Sequence, residues 1–580
     1  MNSAELIAHL SDLASREFNS VKAWVDRFDS PPQYIAWLVE ACRALDYQHV
    51  LQFLSRDPKN KMARPDFDIM VAGWNALLGL LLPHAGGFQG FPLMESSQNS
   101  QTAAMTALHQ LGRSALMQQA ASMIRHGMAV GQIVGDRIVI SMSERASTDH
   151  FLDRLDLHKL EDLDGETEEP EPLLRGVLKT TKIEDIDAKM APLVFAWKTN
   201  RGTMVGYGAD PDVDRYFLAL VSRKTQDWRN EAGIHPDARI GDVSGRDVAA
   251  IGLLLASFYL KHIRFIHLGN KIIPRVNFPM SLTIWKPEAD LIESLADFTG
   301  MERTAVSAAV SLFTLRQSQH QYFLSEPTPF IPMLIEVSNG YFLSPVSSIF
   351  RNPFHGIRMM HEWASNGPAS SVAEPREDWM RIELYHLFLG NRYHIIDGAT
   401  RLKREGATVT DIDAAILDWT TGELALFQLK WQDFSTSDID VQRSKAKNFV
   451  TRVDQWARRV RAWIAEFGLE ALSKGLQLNS EASRRVSAVR LFAIGRSASR
   501  FRSYGYVPDC EEVASCSWAQ FVRLRYEIGP AENVFEALHK EIKRENVQRI
   551  AVKPIPHEIV VAGQKVLFEN LWNTYGEEDE

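Results

Sequence analysis

The sequence predicts a multidomain chain: a mainly α-helical N-terminal region, a mixed α+β middle and a C-terminal α/β core with the element order αβββαβ. Three observations predict it. The chain has 580 residues, beyond the about 250 to 300 at which single cores stop growing. Apolar spacing is helical before about residue 145 and turns to strand-like runs after Pro375. Charge is also unevenly placed. Between Asp440 and Arg502 lie fourteen basic residues and five acids, a net +9, which leaves −18 for the rest of a chain whose formal net charge is −9.

Composition narrows the class further. With 45% hydrophobic and 24% charged residues, the chain reads as a soluble globular protein. No uninterrupted apolar run reaches the roughly 18 residues that span a bilayer, so no membrane span is expected, and Ala249 to Leu260 reads as a buried helix. The opening MNSAELIAHLSDLASREF carries Glu5 and lacks an apolar core behind a basic cluster, so it reads as an amphipathic helix in a cytoplasmic protein. Three cysteines, Cys42, Cys510 and Cys516, are too few for a disulfide framework or a four-thiolate zinc site.

Residues 1–145 form the expected helical domain, with helical spacing in QYIAWLVEACRALDYQHVLQFL and TALHQLGRSALMQQAASMIRHG and a strand pair near QIVGDRIVISM. The acidic stretch LEDLDGETEEPEPLL lacks periodicity, and 146–175 is expected to be a linker or loop. Residues 176–365 form the mixed middle domain, in which MLIEVSNGYFLSPV predicts a hairpin turning at Asn339-Gly340. SNGPASSVAEP, 365–375, marks a boundary, 375–530 is the α/β core and 531–580 a C-terminal extension.

After Pro375 a helix is expected to about Leu389, then extended runs near 392–397, 408–418 and 423–431, a helix over 440–467 and a strand at VSAVRLFAIG. Within ELALFQLKW, Gln428 and Lys430 share one strand face, and Phe427 and Leu429 the other. In TDIDAAILD, Asp413 shares its face with Ala415 and Leu417. A hairpin centred between Thr420 and Thr421 sets Asp413 opposite Gln428; a bulge at Gly422 would slip this by one.

An aspartate, an amide and a lysine among Ala, Leu, Ile and Phe are departures that need a reason, because apolar surroundings penalise charge. Phosphodiester cleavage supplies one. The Asp413 carboxylate, the Gln428 amide oxygen and the Leu429 backbone carbonyl are hard donors suited to Mg²⁺ or Mn²⁺. Lys430 would orient the nucleophile and offset developing charge. A structural ion pair between Asp413 and Lys430 is the plainer alternative. Upstream, Glu383 lies four residues from both Trp379 and Leu387, which places an acid on a stripe expected to face the sheet. It is the candidate further catalytic and metal-binding carboxylate, with Glu377 as its substitute if the helix is rotated.

This constellation resembles the PD-(D/E)xK nuclease superfamily. The resemblance rests on an acid on the first helix (Glu383), an acid at the second strand (Asp413) and a Q-x-K form of the third-strand motif (Gln428, Lys430), followed by a helix and a strand. The glutamine variant is similar to that of Mrr-type restriction endonucleases. The resemblance covers about 150 of the 580 residues. It implies a restriction-endonuclease-like core, a metal-dependent endonuclease activity with DNA favoured as substrate, and a setting in restriction or anti-phage defence. Gln428 departs from the acid of the common motif, and a neutral ligand weakens the claim on metal affinity.

The stripe Phe449, Val453, Trp456, Val460, Trp463 and Phe467 marks the core side of the following helix. At its start Gln442, Arg443, Lys445 and Lys447 are candidates for phosphate contacts. The N-terminal region would then regulate, recognise or assemble, through a partner protein or a homo-oligomer. Two rivals stand beside this reading: a catalytically inactive nuclease fold that only binds nucleic acid, and an assembly protein whose basic helix meets an acidic partner or its own acidic region. His262 and His267 read as core or surface histidines. The glycines of HAGGFQGF and VGYGAD lack the Lys-Ser/Thr of a Walker loop, and no G-x-S-x-G elbow occurs.

Overall fold

Leu424 and Leu426 face one way along the Glu423–Lys430 strand, Ala425, Phe427 and Leu429 the other, and both sets are buried. A strand buried on two faces needs a layer on each side. The long helix Ile439–Gly475 covers one face through Phe449, Val453, Trp456 and Val460. Helices Ser370–His386, Trp518–Ile528 and Val534–Val547 cover the other through Met380, Leu384, Phe388, Phe521 and Phe535. The computed structural model describes residues 2–55, 57–85, 96–167, 172–200, 202–338, 340–364, 370–431, 438–497, 500–548 and 553–573.

Five strands make this sheet, and their spatial order follows the chain: Tyr393–Ile396, Ala414–Asp418, Glu423–Lys430, Ala488–Gly495, Val513–Ser517. The first two pairings are antiparallel and the last two parallel. Ala414 lies opposite Phe427 and Leu417 opposite Leu424, the register that sets Asp413 against Gln428. Gly422 closes the turn in the left-handed region (φ +73°) and donates its N–H to Asp418 O at 2.8 Å, without slipping that register. A side chain there would meet the Arg485 carbonyl at 2.3 Å.

One strand expected over 408–418 is two. Ala407–Ile412 pairs with Thr400–Arg404 in a separate hairpin, and Ala414–Asp418 enters the main sheet. Asp413 is the joint between them. The long helix fixes the hairpin through its indoles: Trp456 Nε1 donates to Asp411 O at 2.7 Å and Trp463 Nε1 to Lys403 O at 3.0 Å. That helix is interrupted at Gly468 (φ 79°), next to its expected end.

The expected linker over 146–175 is a second correction. Residues Glu144–Thr167 are helical, and Asp149, Asp153 and Asp156 on that helix dock against the C-terminal core. Arg500 Nη1 donates to Asp153 at 2.7 Å and to Asp156 at 2.5 Å, while Arg523 Nε reaches Asp156 at 2.7 Å. Asp153 and Asp156, just before the acidic stretch, are thus neutralised by arginines far along the chain. Residues 168–171 of the same stretch lie outside the described residues.

Contiguous boundaries at 145, 176, 365 and 531 also need correction, since cores cross them. One core joins residues 21–111 to 315–360, and Trp74 Nε1 donates to Phe330 O at 2.9 Å. Asp46 accepts from Thr283 Oγ1 at 2.9 Å and Ser347 N at 2.8 Å. The expected strand pair Ala129–Val134 and Arg137–Met142 is extended by Gln564–Asn573, parallel to the latter, and then by Pro554–Val561. The C-terminal extension is therefore divided: Val534–Val547 packs on the five-stranded sheet and the last hairpin completes the N-terminal one.

The architecture is multidomain-like and mainly helical with small mixed sheets, a mixed α+β protein. The hairpin Leu334–Ser338 and Tyr341–Ser344 forms where expected, with Gly340 at φ +79°; Asn339 lies outside the described residues, as do 365–369 of the boundary stretch. His262 is a core histidine, its Nδ1 2.7 Å from the Tyr207 hydroxyl, and burial lowers its pKa to about 4. Gly245–Ile272, which contains it, is long and apolar enough to cross a membrane, and its most apolar window is 61% buried within the protein.

Asp156 is 1% exposed at its side chain and serves two buried arginines. Asp156→Ala is expected to lower global stability by about 3 kcal/mol, since removing one member of a buried ion pair strands the others. Urea denaturation of the full chain, followed by proteolytic sensitivity of the 144–167 helix, checks this.

Candidate active site

Asp413 sits where the antiparallel ladder ends, and its backbone still belongs to it: the Asp413 N–H donates to Phe427 O at 3.0 Å. Its carbonyl accepts from Arg381 Nη1 at 3.0 Å. Its side chain is 5% exposed. Three groups converge on its Oδ2. Gln428 Nε2 donates to it, the Leu429 N–H donates at 2.7 Å, and Lys430 Nζ lies 3.7 Å away. All of these contacts fall on one oxygen, so Oδ1 remains without a hydrogen bond among the described residues. The structure brings Asp413, Gln428 and Lys430 together as the strand faces required.

Glu383 is placed differently. The buried stripe of the Ser370–His386 helix is Met380 and Leu384, continued by Phe388 in the turn that follows, one residue on from the expected Trp379, Glu383 and Leu387. That is a rotation of about 100° about the helix axis. Glu383 consequently pairs with Arg496, whose guanidinium lies over the rings of Trp431 and Trp518. Glu377 faces Lys430 instead, its Oε1 3.7 Å from Nζ. Lys430 thus bridges the carboxylates of Asp413 and Glu377. The sequence left the two helix phases open because Trp379, Met380, Leu384, Leu387 and Phe388 populate both stripes.

A wall beside the site went unread in the sequence. Trp431 follows Lys430 and stacks on Trp379, ring centroids 6.0 Å apart, and Arg376 lies over Trp431 while its Nε donates to Gly233 O at 3.0 Å. A Cβ on Gly233 would run into Trp431 and Arg376, so this glycine lets the middle region approach closely. The only signal was the tryptophan next to the motif lysine.

The candidate phosphate contacts divide. Gln442 Oε1 accepts from the Tyr504 hydroxyl at 2.6 Å, and Arg443 Nη1 donates to Tyr504 O at 2.8 Å, so both hold the loop after Ala488–Gly495. Lys445 is half-buried on the same helix and Lys447 is exposed. Much of the basic segment is also matched internally, for example Arg490 with Glu423 and Arg461 with Glu512.

Among the described residues, no group of three or more His, Cys, Asp or Glu side chains is placed to hold a metal ion. A hard cation here would take Asp413 Oδ1 together with neutral oxygens and water. Phe427 O and Leu429 N both meet Asp413, and a strand residue sends its N–H and C=O to one side, so the Leu429 carbonyl points the same way. The Gln428 amide presents nitrogen to Asp413, and offering its oxygen requires turning the amide over. The donor chemistry fits Mg²⁺ or Mn²⁺, with water completing the shell. No protein-family model, curated protein or solved structure matches the chain.

Burial pushes the Asp413 carboxyl up to about 6, against the attraction of Lys430 and the Leu429 N–H. A carboxyl raised in the folded state binds protons more readily there than in the unfolded chain, so its ionisation penalty is full above about pH 6 and gone below the ordinary value of about 4. In chelator, Asp413→Asn is expected to raise stability at pH 8 by on the order of 2 kcal/mol and to leave it nearly unchanged at pH 4. Melting temperatures of both proteins at the two pH values test the sign.

Proposed function

We propose that the C-terminal module, 375–530, is a restriction-endonuclease-like core that hydrolyses nucleic-acid phosphodiesters, with DNA as the favoured substrate. The observation that carries this reading is the convergence of Gln428, Leu429 N–H and Lys430 on one buried oxygen of Asp413, beside a second carboxylate at Glu377. A pair of carboxylates bridged by a lysine at a strand end suits a reaction in which water attacks a phosphate and an alkoxide leaves.

In that reading Asp413 Oδ1, the Leu429 carbonyl and the Gln428 amide oxygen would hold Mg²⁺ or Mn²⁺, which when bound lowers the pKa of water and offsets phosphate charge. Lys430 orients the attacking water by hydrogen bonding and stabilises negative charge as it gathers on the phosphoryl oxygens. Glu377, exposed and 3.7 Å from Lys430, keeps the ammonium turned toward the site. Glu383 acts at one remove: with Arg496 it braces the end of the strand, as Arg496 N–H donates to Lys430 O at 2.9 Å. The N-terminal and middle regions, which share a core, would regulate or recognise.

A second reading draws on the Gln428 amide, whose nitrogen faces Asp413 as it would in a silent site that only binds nucleic acid. Incubation with plasmid, linear and single-stranded DNA and with RNA, in Mg²⁺, Mn²⁺ or chelator, separates the two. Metal-dependent cleavage is expected, reduced about 10²-fold or more by Asp413→Ala and by Lys430→Ala. Retention of cleavage in both variants would remove these residues from the mechanism. Glu377→Gln is expected to cost more activity than Glu383→Gln, read as initial rates on the same substrate; the opposite order would restore Glu383 to the site.

A further inference from the structure

The start of the Glu144–Thr167 helix, the loop after Ala488–Gly495 and the first turns of Ile439–Gly475 border an open cavity of about 460 Å³. Arg145, Arg443 and Arg502 line it, one from each element, with His126, Ser143 and Tyr506. Guanidiniums gathered round one cavity repel each other, an arrangement that an anion would relieve. The carboxylates nearby hold other partners, although Asp149 also attracts Arg145 and Arg502 through space. Asp149 accepts the Ser503 N–H at 3.0 Å, Asp440 meets His126 Nε2 at 2.6 Å, and Asp153 and Asp156 take Arg500.

Neither Arg145 nor Arg502 has a carboxylate within ion-pair distance among the described residues. Burial lowers the Arg502 pKa; Asp149 opposes this, while Arg145 and Arg500 add to it. Arg443 is held in place by its bond to Tyr504 O and by the Tyr506 ring 5.6 Å away. Only one of its terminal nitrogens is spent on that carbonyl, so the rest of the fork stays available. Ser143 precedes the helix and its Oγ accepts the Ala146 N–H at 3.3 Å, so the cavity also lies at the positive end of a helix.

We propose that this cavity binds a phosphate-bearing ligand of nucleotide size, gripped by Arg145, Arg443 and Arg502. Planar guanidinium forks match phosphate oxygens two at a time, which a lysine cluster would not. The volume falls within the about 300 to 1,000 Å³ typical of small-molecule sites. The proposal stands apart from the nuclease reading, because none of its residues belongs to the Asp413 cluster. Occupancy would tie the 144–167 helix to the loop that begins at Arg496, the residue bracing Lys430.

Calorimetric titration of the full chain in chelator, with sodium pyrophosphate, adenosine diphosphate and a single-stranded 12-mer as probes, tests it. Saturable binding of pyrophosphate or the nucleotide is expected, weakened about tenfold or more in Arg145→Ala and in Arg502→Ala. Arg145 is exposed, so its variant is expected to keep the parent's melting temperature. Binding only of the 12-mer, lost in the arginine variants, upholds the site and assigns the phosphate to a polynucleotide backbone. No binding of any probe, or unaltered affinity in both arginine variants, overturns it. A protein that cleaves DNA but fails this test loses the cavity proposal alone.

Discussion

A carboxylate at Asp413 is held out of water by a sheet that is apolar on both faces, and the C-terminal arrangement is organised around making that tolerable. Its charge is met by one lysine, one amide and one backbone N–H. Each partner depends on a different constraint. The N–H is available because the antiparallel ladder stops at Ala414; the amide and the lysine arrive because strand alternation returns every second side chain to the same face. Break the strand one residue earlier or later and the carboxylate would face the opposite layer among Phe427 and Leu429. The long helix secures that position from outside the sheet, since the Trp456 indole grips the Asp411 carbonyl two residues before the joint.

Charge placement obeys the same logic over longer distances. The basic excess between Asp440 and Arg502 read as a face turned to solvent or to a polyanion, and the structure spends much of it within the chain. Arg500 is buried against Asp153 and Asp156, while the half-buried Arg490 and Arg496 pair with Glu423 and Glu383. Buried pairs of this kind contribute little net stability compared with apolar replacements, yet they specify which surfaces may meet. The acidic helix Glu144–Thr167 can dock only where Arg500 and Arg523 answer Asp153 and Asp156 and the Ser503 N–H answers Asp149. Arg145, Arg443 and Arg502 are conspicuous against this background because none of them has a carboxylate within ion-pair distance among the described residues.

What the residues revealed beforehand follows the range of the forces involved. The hairpin register was legible because Thr420, Thr421 and Gly422 fix it within a few residues, and the two-faced burial of ELALFQLK because alternation is local. Helix phase at Glu383 was not legible, since an extra apolar residue at Met380 makes two stripes nearly equivalent and only the sheet chooses between them. The acidic stretch after 145 read as solvated because its partners lie about 350 residues away, beyond any window of periodicity. The same holds for the strands Pro554–Val561 and Gln564–Asn573, whose alternation was present but whose sheet is supplied by Arg137–Met142. The break at Asp413 was hidden by a run of residues with strand character on both sides of it.

These long-range closures bear on how the two parts of the chain communicate. The Ala488–Gly495 strand runs parallel to Glu423–Lys430, so both deliver their following residues to one edge of the sheet. From that edge one strand supplies Lys430, and the other supplies Arg496 and then the loop that carries Arg502 to Tyr506. Arg496 is hydrogen-bonded through its backbone to Lys430 and through its side chain to Glu383. Arg496 thus joins the strand that leads toward the arginines to the strand end that carries Lys430, and a shift of Arg496 would be felt at the Lys430 carbonyl. A sub-ångström change there matters, because Lys430 already stands 3.7 Å from each carboxylate, at the outer limit of direct pairing, with room to tighten onto either one.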